Sequence, residues 1–214
     1  FLVERAPDVS GAPGTFAQVG TPGANVTTFS DTGRAASTRY WYRVRATNAA
    51  GNSAFTANAS ATTPAAPTAL VGNSTVLTTS DFENAGVAAA FNYVASVSGN
   101  VTRLSLYVDA QTTATTLQVG LYANGNGTPG AQLRTCTVTP VTPGAWNVCT
   151  ITSQAVTSGT TYWLAVLAPT GDVYWRHTSG TGSYKVQPGL TTLPATWSGT
   201  GGYPGSNMSA YAGN

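Results

Sequence analysis

Side chains able to carry acid–base or nucleophilic chemistry are scarce in this chain of 214 residues, which holds seven carboxylates, nine lysines and arginines together and one histidine. A Ser-His-Asp arrangement would have to use His177, but Trp175-Arg176-His177-Thr178 alternates like a strand, where a histidine is ordinarily a surface or packed residue. Two-carboxylate catalysis requires both groups on one cleft. Asp81 and Glu83 share one face of an extended segment, yet no apolar cleft is implied around them. With Asn84 they form an oxygen-rich set of the type calcium takes from loops. The alternative is a solvated loop ahead of a strand at Val87. No phosphate-binding glycine loop is present, and Asn124 to Gly127 reads as a turn. The expectation is a non-enzymatic protein without a cofactor, with calcium as the one ion these residues suit.

Two cysteines, Cys136 and Cys149, are centred on Thr142–Pro143, the middle of an apparent hairpin. In antiparallel strands they fall opposite one another, close enough for a disulfide. They lack Cys-x-x-Cys spacing and are too few for a metal site by themselves. The aromatic-rich C-terminal part offers a ligand site built from Tyr174, Trp175, Arg176, Tyr184, Trp197 and Tyr203, since flat rings stack on sugar faces. Core packing is the competing use of the same rings. By alternation Val173 and Trp175 share one face and Tyr174 and Arg176 the other, so one pair is expected to be buried. Six Asn-x-Ser/Thr sites, at Asn25, Asn58, Asn73, Asn100, Asn126 and Asn207, are candidate glycosylation acceptors. Leu193-Pro194-Ala195-Thr196 is not a wall-sorting signal, because Trp197 stands where glycine is required and no apolar tail or basic end follows.

Charged residues make up 7% of the chain, against about 25% in typical globular proteins. Threonine is about one residue in six, a β-branched type that favours strands while keeping an uncharged surface wet. The hydrophobic fraction of 42% suffices for a core, and a net charge of +2 gives no footprint for nucleic acid. No apolar run approaches the roughly 18 residues of a membrane helix. Low charge, the Thr/Gly/Asn bias and the expected disulfide point to an extracellular or surface protein, bacterial by expectation. The opening at Phe1 reads as a processed product or a fragment.

Strands dominate the first 63 residues. Tyr40, Tyr42, Val44 and Ala46 alternate with Trp41, Arg43 and Arg45, and Asn48 to Asn52 supplies a turn before a second strand near Ala54. Earlier strands are expected at Phe1–Arg5, Thr15–Val19 and Asn25–Phe29. Thr38-Arg39-Tyr40, followed by Arg43-Val44-Arg45-Ala46-Thr47-Asn48-Ala49-Ala50-Gly51-Asn52-Ser53, resembles the tyrosine corner and last two strands of a fibronectin type III domain. That resemblance matches Phe1–Arg5 to the family's third strand and leaves its first two without a counterpart. Two strands would bring about six inward side chains, or about 9–18 kcal/mol of burial, comparable to the about 5–15 kcal/mol by which a whole domain is stable. The missing strands are expected either upstream in a longer chain or from another subunit. In the second case a neighbour's strand would lie beside Asn25–Phe29 and cover the face bearing Val26, Phe29, Tyr40, Tyr42 and Val44.

Thr62-Thr63-Pro64-Ala65-Ala66-Pro67-Thr68 reads as a stiff linker, with 64–68 as its centre. Residues 69–214 show many short strands punctuated by glycine and proline: Val87–Ser96, Val101–Ala110, Thr116–Tyr122, Gln132–Val138, Ala145–Thr152, Thr161–Leu167, Val173–His177 and Met208–Tyr211. This is the pattern of a β-sandwich, jelly-roll-like in its strand count. Gly120-Leu121-Tyr122-Ala123, Thr128-Pro129-Gly130, Gly144-Ala145-Trp146-Asn147, Gly159-Thr160-Thr161-Tyr162-Trp163-Leu164-Ala165-Val166 and Leu193-Pro194-Ala195-Thr196-Trp197 resemble a β-sandwich domain of large secreted bacterial proteins. The resemblance implies an accessory domain, some members being similar to carbohydrate-binding modules. The fold class expected is all-β: two sandwich units in tandem, the first incomplete. The leading expectation of function is a structural module of a surface fibre or adhesin, with copies of itself or the rest of a longer chain as partner. The alternative is a carbohydrate-binding accessory module with a polysaccharide partner.

Overall fold

The computed structural model is all-β and divides into two compact units, Phe1–Ala66 and Pro67–Asn214. It describes every residue except Thr200 and Tyr203, and at Gly180, Thr181, Pro204 and Gly205 the backbone alone.

The first unit is a five-stranded antiparallel sheet with a separate two-stranded hairpin. Its strands are β1 (Leu2–Val9), β2 (Ala12–Pro13), β3 (Ala17–Gly20), β4 (Arg39–Arg45), a small hairpin of β5 (Thr47–Asn48) and β6 (Gly51–Asn52), and β7 (Ala59–Thr62). β1 lies between β3 and β4, and β7 pairs with β4. Directly opposed residues point to the same side of a sheet. One face therefore carries the pairs Val3–Val44, Arg5–Tyr42 and Pro7–Tyr40; the other carries Leu2–Arg45, Glu4–Arg43 and Ala6–Trp41. The second face is well filled. The Arg43 guanidinium lies between the rings of Phe16 and Phe55, 4.1 and 3.9 Å from their centroids, and its Nη2 sits 2.6 Å from Glu4. The first face is partly covered: Val3 is buried, while Tyr42 and Val44 are half-buried.

Two expectations fail in this unit. Asn25–Phe29 is not a strand. A strand forms through its ladder, and among the described residues none lies alongside to pair with this segment; a Val26 N–H to Gly23 carbonyl turn bond at 3.4 Å is the backbone contact it makes. The last strand begins at Ala59 rather than near Ala54, after the β5–β6 hairpin, whose turn Asn48 tightens by accepting the Ala50 N–H at 2.9 Å.

The second unit is a two-sheet sandwich. Its strands are β8 (Ala69–Gly72), β9 (Thr79–Glu83), β10 (Ala88–Val94), β11 (Gly99–Val108), β12 (Leu117–Asn124), β13 (Pro129–Val138), β14 (Ala145–Val156), β15 (Thr161–Leu167), β16 (Val173–Gln187), β17 (Pro204–Met208) and β18 (Ala210–Gly213). One sheet runs β13-β12-β15-β10 and is closed by the end of β16. The other has β14-β11-β18-β8, with the beginning of β16 flanked by β9 and β17. The long β16 thus passes from one sheet to the other. Leu104, Leu106 and Val108 of β11 meet Val119 and Leu121 of β12 and Leu164 and Val166 of β15 between the sheets, each at most 2% exposed. Each such side chain stabilises the fold by about 1.5–3 kcal/mol. A second cluster lies on the outer side of the β12–β15–β10 sheet, where Leu193 and Trp197 cover Tyr122, Trp163 and the small residues Ala88, Ala90 and Ala165. The Tyr122 hydroxyl donates to the Pro194 carbonyl at 2.8 Å and fixes the covering segment.

Cys136 and Cys149 are bonded, with Cα atoms 5.9 Å apart. The expected hairpin geometry is wrong, however. β13 pairs with β12 and β14 with β11, so the bridge joins the two sheets at one edge of the sandwich instead of crossing a ladder. The connection leaves one sheet and enters the other, held by the buried Asn147, whose Oδ1 accepts the Thr142 N–H at 2.8 Å. The bridge closes a separation of 13 residues, which in the chain-entropy model stabilises by about 3 kcal/mol. Replacing both cysteines by serine is expected to lower the melting temperature of this unit by about 6–12 °C, read by calorimetry of wild type and variant.

Candidate functional site

Val3 and Ala6 are the two buried residues of the first unit; every other buried side chain belongs to the sandwich. Ala6 lies on the Arg-rich face, so Val3 alone is buried on the other. Over that face lies an open groove of about 790 Å³ lined by Phe1, Val3, Val26, Phe29, Tyr42 and Val44, with Pro22, Asn25, Thr27, Thr28 and Asp31 around them. The groove is open along one side, with the buried Val3 and the half-buried Tyr42 and Val44 on its floor. Four of the five residues expected on an assembly surface line it: Val26, Phe29, Tyr42 and Val44. Tyr40 does not. Its ring lies under the Arg5 guanidinium and its hydroxyl accepts the Ala35 N–H at 3.3 Å.

One wall of the groove is the segment that fails to become a strand. Val26 and Phe29 are 46% and 41% exposed, and the Phe29 ring is seated on Gly20, where a Cβ would meet it at 2.2 Å. Among the described residues, the backbone groups of Thr27 to Ser30 make no hydrogen bond. The wall is a free edge with apolar side chains beside an apolar floor. At one end the Phe1 ammonium donates to the Pro22 carbonyl at 2.9 Å. Toward the other stands Asp31, which accepts from Arg5 Nη1 at 2.7 and 2.9 Å and from the Tyr42 hydroxyl at 2.9 Å, with Arg34 3.5 Å away. Burial pushes the Asp31 carboxyl up, but the hydrogen bonds from Arg5 and Tyr42 and the charges of Arg5 and Arg34 outweigh it, leaving the group below its ordinary value. Burial, together with Asp31, pushes the Tyr42 phenol up.

The aromatic set expected to bind a ligand is not brought together on one surface. Trp175 is fully buried in the main core, Tyr184 stacks on Phe91 within it, and Trp197 packs edge-on to Tyr122 in the outer cluster. Tyr174 and Arg176 lie on the outer face of β16, where Tyr174 stacks on Phe82 and Arg176 pairs with the buried Asp109 at 2.8 Å. Burial pushes the Asp109 carboxyl up, and hydrogen bonds from Ser80, Ala110 and Arg176 bring it below the ordinary range. Tyr203 lies outside the described residues.

Asp81 and Glu83 belong to strand β9, paired with β16, and not to a loop. Glu83 accepts the Tyr184 hydroxyl; burial raises its carboxyl, the hydrogen bond opposes this, and the charge of Asp81 adds to it. Asp81 Oδ1 accepts the Phe82 N–H at 2.9 Å, and Asn84 gives its carbonyl to the Val87 N–H. Among the described residues no three His, Cys, Asp or Glu side chains gather as a metal site, and His177 forms no ion pair; the Ser206 hydroxyl lies 3.3 Å from its Nδ1. Of the sequons, Asn25 lines the groove, and Asn58, Asn100 and Asn126 are exposed. Asn73 and Asn207 are half-buried, and Ser209 of the last sequon is buried with its hydroxyl accepting the Leu77 N–H.

The chain matches no protein-family model, no curated protein and no solved structure.

A carboxyl lowered by folding stabilises above its unfolded value and ceases to do so as the pH falls through its folded value. The first unit is therefore expected to loosen on acidification below 3.8, the ordinary value of Asp31. Asp31→Asn, which removes the charge and one of the two oxygens that accept from Arg5, is expected to cost about 1–3 kcal/mol at neutral pH and to flatten this acid limb. Hydrogen exchange of the β1 and β4 amides, compared between wild type and variant at each pH, reads both effects.

Proposed function

We propose that this is a non-catalytic extracellular structural protein, a subunit or module of a surface fibre or adhesin-like assembly, whose first unit is completed by an extended segment of a neighbouring chain. The observation that carries the reading is the groove: an apolar floor at Val3, Tyr42 and Val44 beside the unpaired backbone of Thr27 to Ser30. An added strand supplies main-chain hydrogen bonds to that edge and alternate apolar side chains to that floor, which is the physics of strand addition. The first unit resembles a fibronectin type III domain with one sheet made, in the order β3-β1-β4-β7, and the opposing sheet unmade. Tyr40 supports this, since its hydroxyl accepts a backbone N–H five residues upstream in the manner of a tyrosine corner. The inter-sheet disulfide fits an oxidising, extracellular setting.

Sedimentation velocity of native material tests the reading with Val26→Arg, a change at a groove residue that is 46% exposed. Wild type is expected to sediment as species far heavier than the 21.8 kDa chain, and Val26→Arg as a single chain. A wild type that stays at 21.8 kDa at every concentration, or a variant that assembles like wild type, would overturn it.

A further inference from the structure

The outer face of the β14-β11-β18 sheet carries a group of side chains that plays no part in the core or the groove. Along β11, Arg103, Ser105 and Tyr107 point outward, opposite to the buried Leu104 and Leu106. Register places Tyr107 beside Trp146 of β14, and Ser105 between Val148 of β14 and Tyr211 of β18. Because Ser105 is small, rings from the two flanking strands meet across β11. Trp146 and Tyr211 pack edge-to-face at 5.3 Å between centroids, and Trp146 and Tyr107 at 5.8 Å. Tyr107 and Trp146 remain partly exposed, while Val148 beside them is 47% exposed. The Ser105 hydroxyl is buried without a partner.

Arg103 extends this row at its far end. Opposite it stand Thr150 on β14 and Gly213 on β18, so no bulky side chain screens it from the strand on one side. Among the described residues it forms no ion pair and no side-chain hydrogen bond, in contrast to Arg5, Arg43 and Arg176, which are all paired with carboxylates. A free guanidinium in line with partly exposed rings combines two recognitions. The negative faces of the rings receive the C–H face of a pyranose. The planar fork of the guanidinium matches a carboxylate.

We infer that this sheet face is a binding site for an acidic polysaccharide, with Trp146 stacking on a sugar ring, Tyr107 and Tyr211 packed edge-to-face with Trp146 and bracing it, and Arg103 pairing with a uronate carboxylate. The inference is independent of the groove and stands whether or not a strand fills it. It also moves sugar recognition away from Trp175 and Trp197, which the fold buries.

Binding to beads coated with polygalacturonate, with dextran beads as the neutral comparison, tests it at physiological salt with chelator present. Wild type is expected to bind polygalacturonate and not dextran. Arg103→Gln, which removes a charge-assisted contact, and Trp146→Ala, which removes a stacking ring, are each expected to weaken binding about tenfold or more. Trp146→Phe is expected to retain most of it, and Lys185→Gln, which removes the same charge elsewhere, all of it. Absence of binding to polygalacturonate, equal binding to dextran, or equal weakening by Lys185→Gln and Arg103→Gln would each overturn the inference. If Trp146→Ala lowers the melting temperature, the surface change Arg103→Gln decides.

Discussion

A β-sheet that carries apolar side chains on one face is stable only when something covers that face. Both units of this protein are built from the same kinds of strand, and they differ in how this requirement is met. In the second unit the rows Leu104-Leu106-Val108 and Leu164-Val166 face one another and water is excluded. In the first, Val3 and Val44 face a groove, and the one segment positioned to close it, Asn25 to Phe29, has no partner with which to become a strand. The segment without a ladder partner among the described residues is also a wall of the groove. An edge strand requires its ladder as much as a face requires its cover.

What organises the first unit in the absence of a core is charge and π-stacking. Phe16, Arg43, Phe55 and Arg45 form a stack on the covered face, tied to Glu4, and Asp31 gathers Arg5, Arg34 and Tyr42 beside the groove. Such contacts hold a sheet in register while leaving its apolar side available.

The fold was legible wherever a period of two persisted. Thr161–Leu167 was bounded from sequence alone, and the alternation at Leu117, Val119 and Leu121 identified their buried face. Strands β8 and β9 were not legible, because each is short and β9, Thr79 to Glu83, is polar and lies at a sheet edge. The cysteines were paired correctly on wrong geometry: a hairpin and a turn between two sheets look alike in sequence, and strand partners decide which is present. The Trp41 and Trp163 segments look similar in sequence, but Trp41 lies half-exposed and donates to Asp8, while Trp163 is sealed under Leu193 and Trp197 and donates to Asn124. Val26, Phe29, Tyr42 and Val44 line one groove because the Asn25 to Phe29 segment lies beside the sheet face that carries Val3 and Val44. The Tyr107, Trp146 and Tyr211 group was not legible, since the three lie far apart in the chain and meet only through the register of β14, β11 and β18.

Strand donation is tested most directly by imaging the assembled native protein at a resolution that traces the chain. The prediction is an added extended segment, belonging to a different copy, hydrogen-bonded to Thr27 and Phe29 with alternate apolar side chains seated over Val3 and Val44. A groove that stays open in the assembly, or one filled by a strand continuous with the same chain, would contradict it.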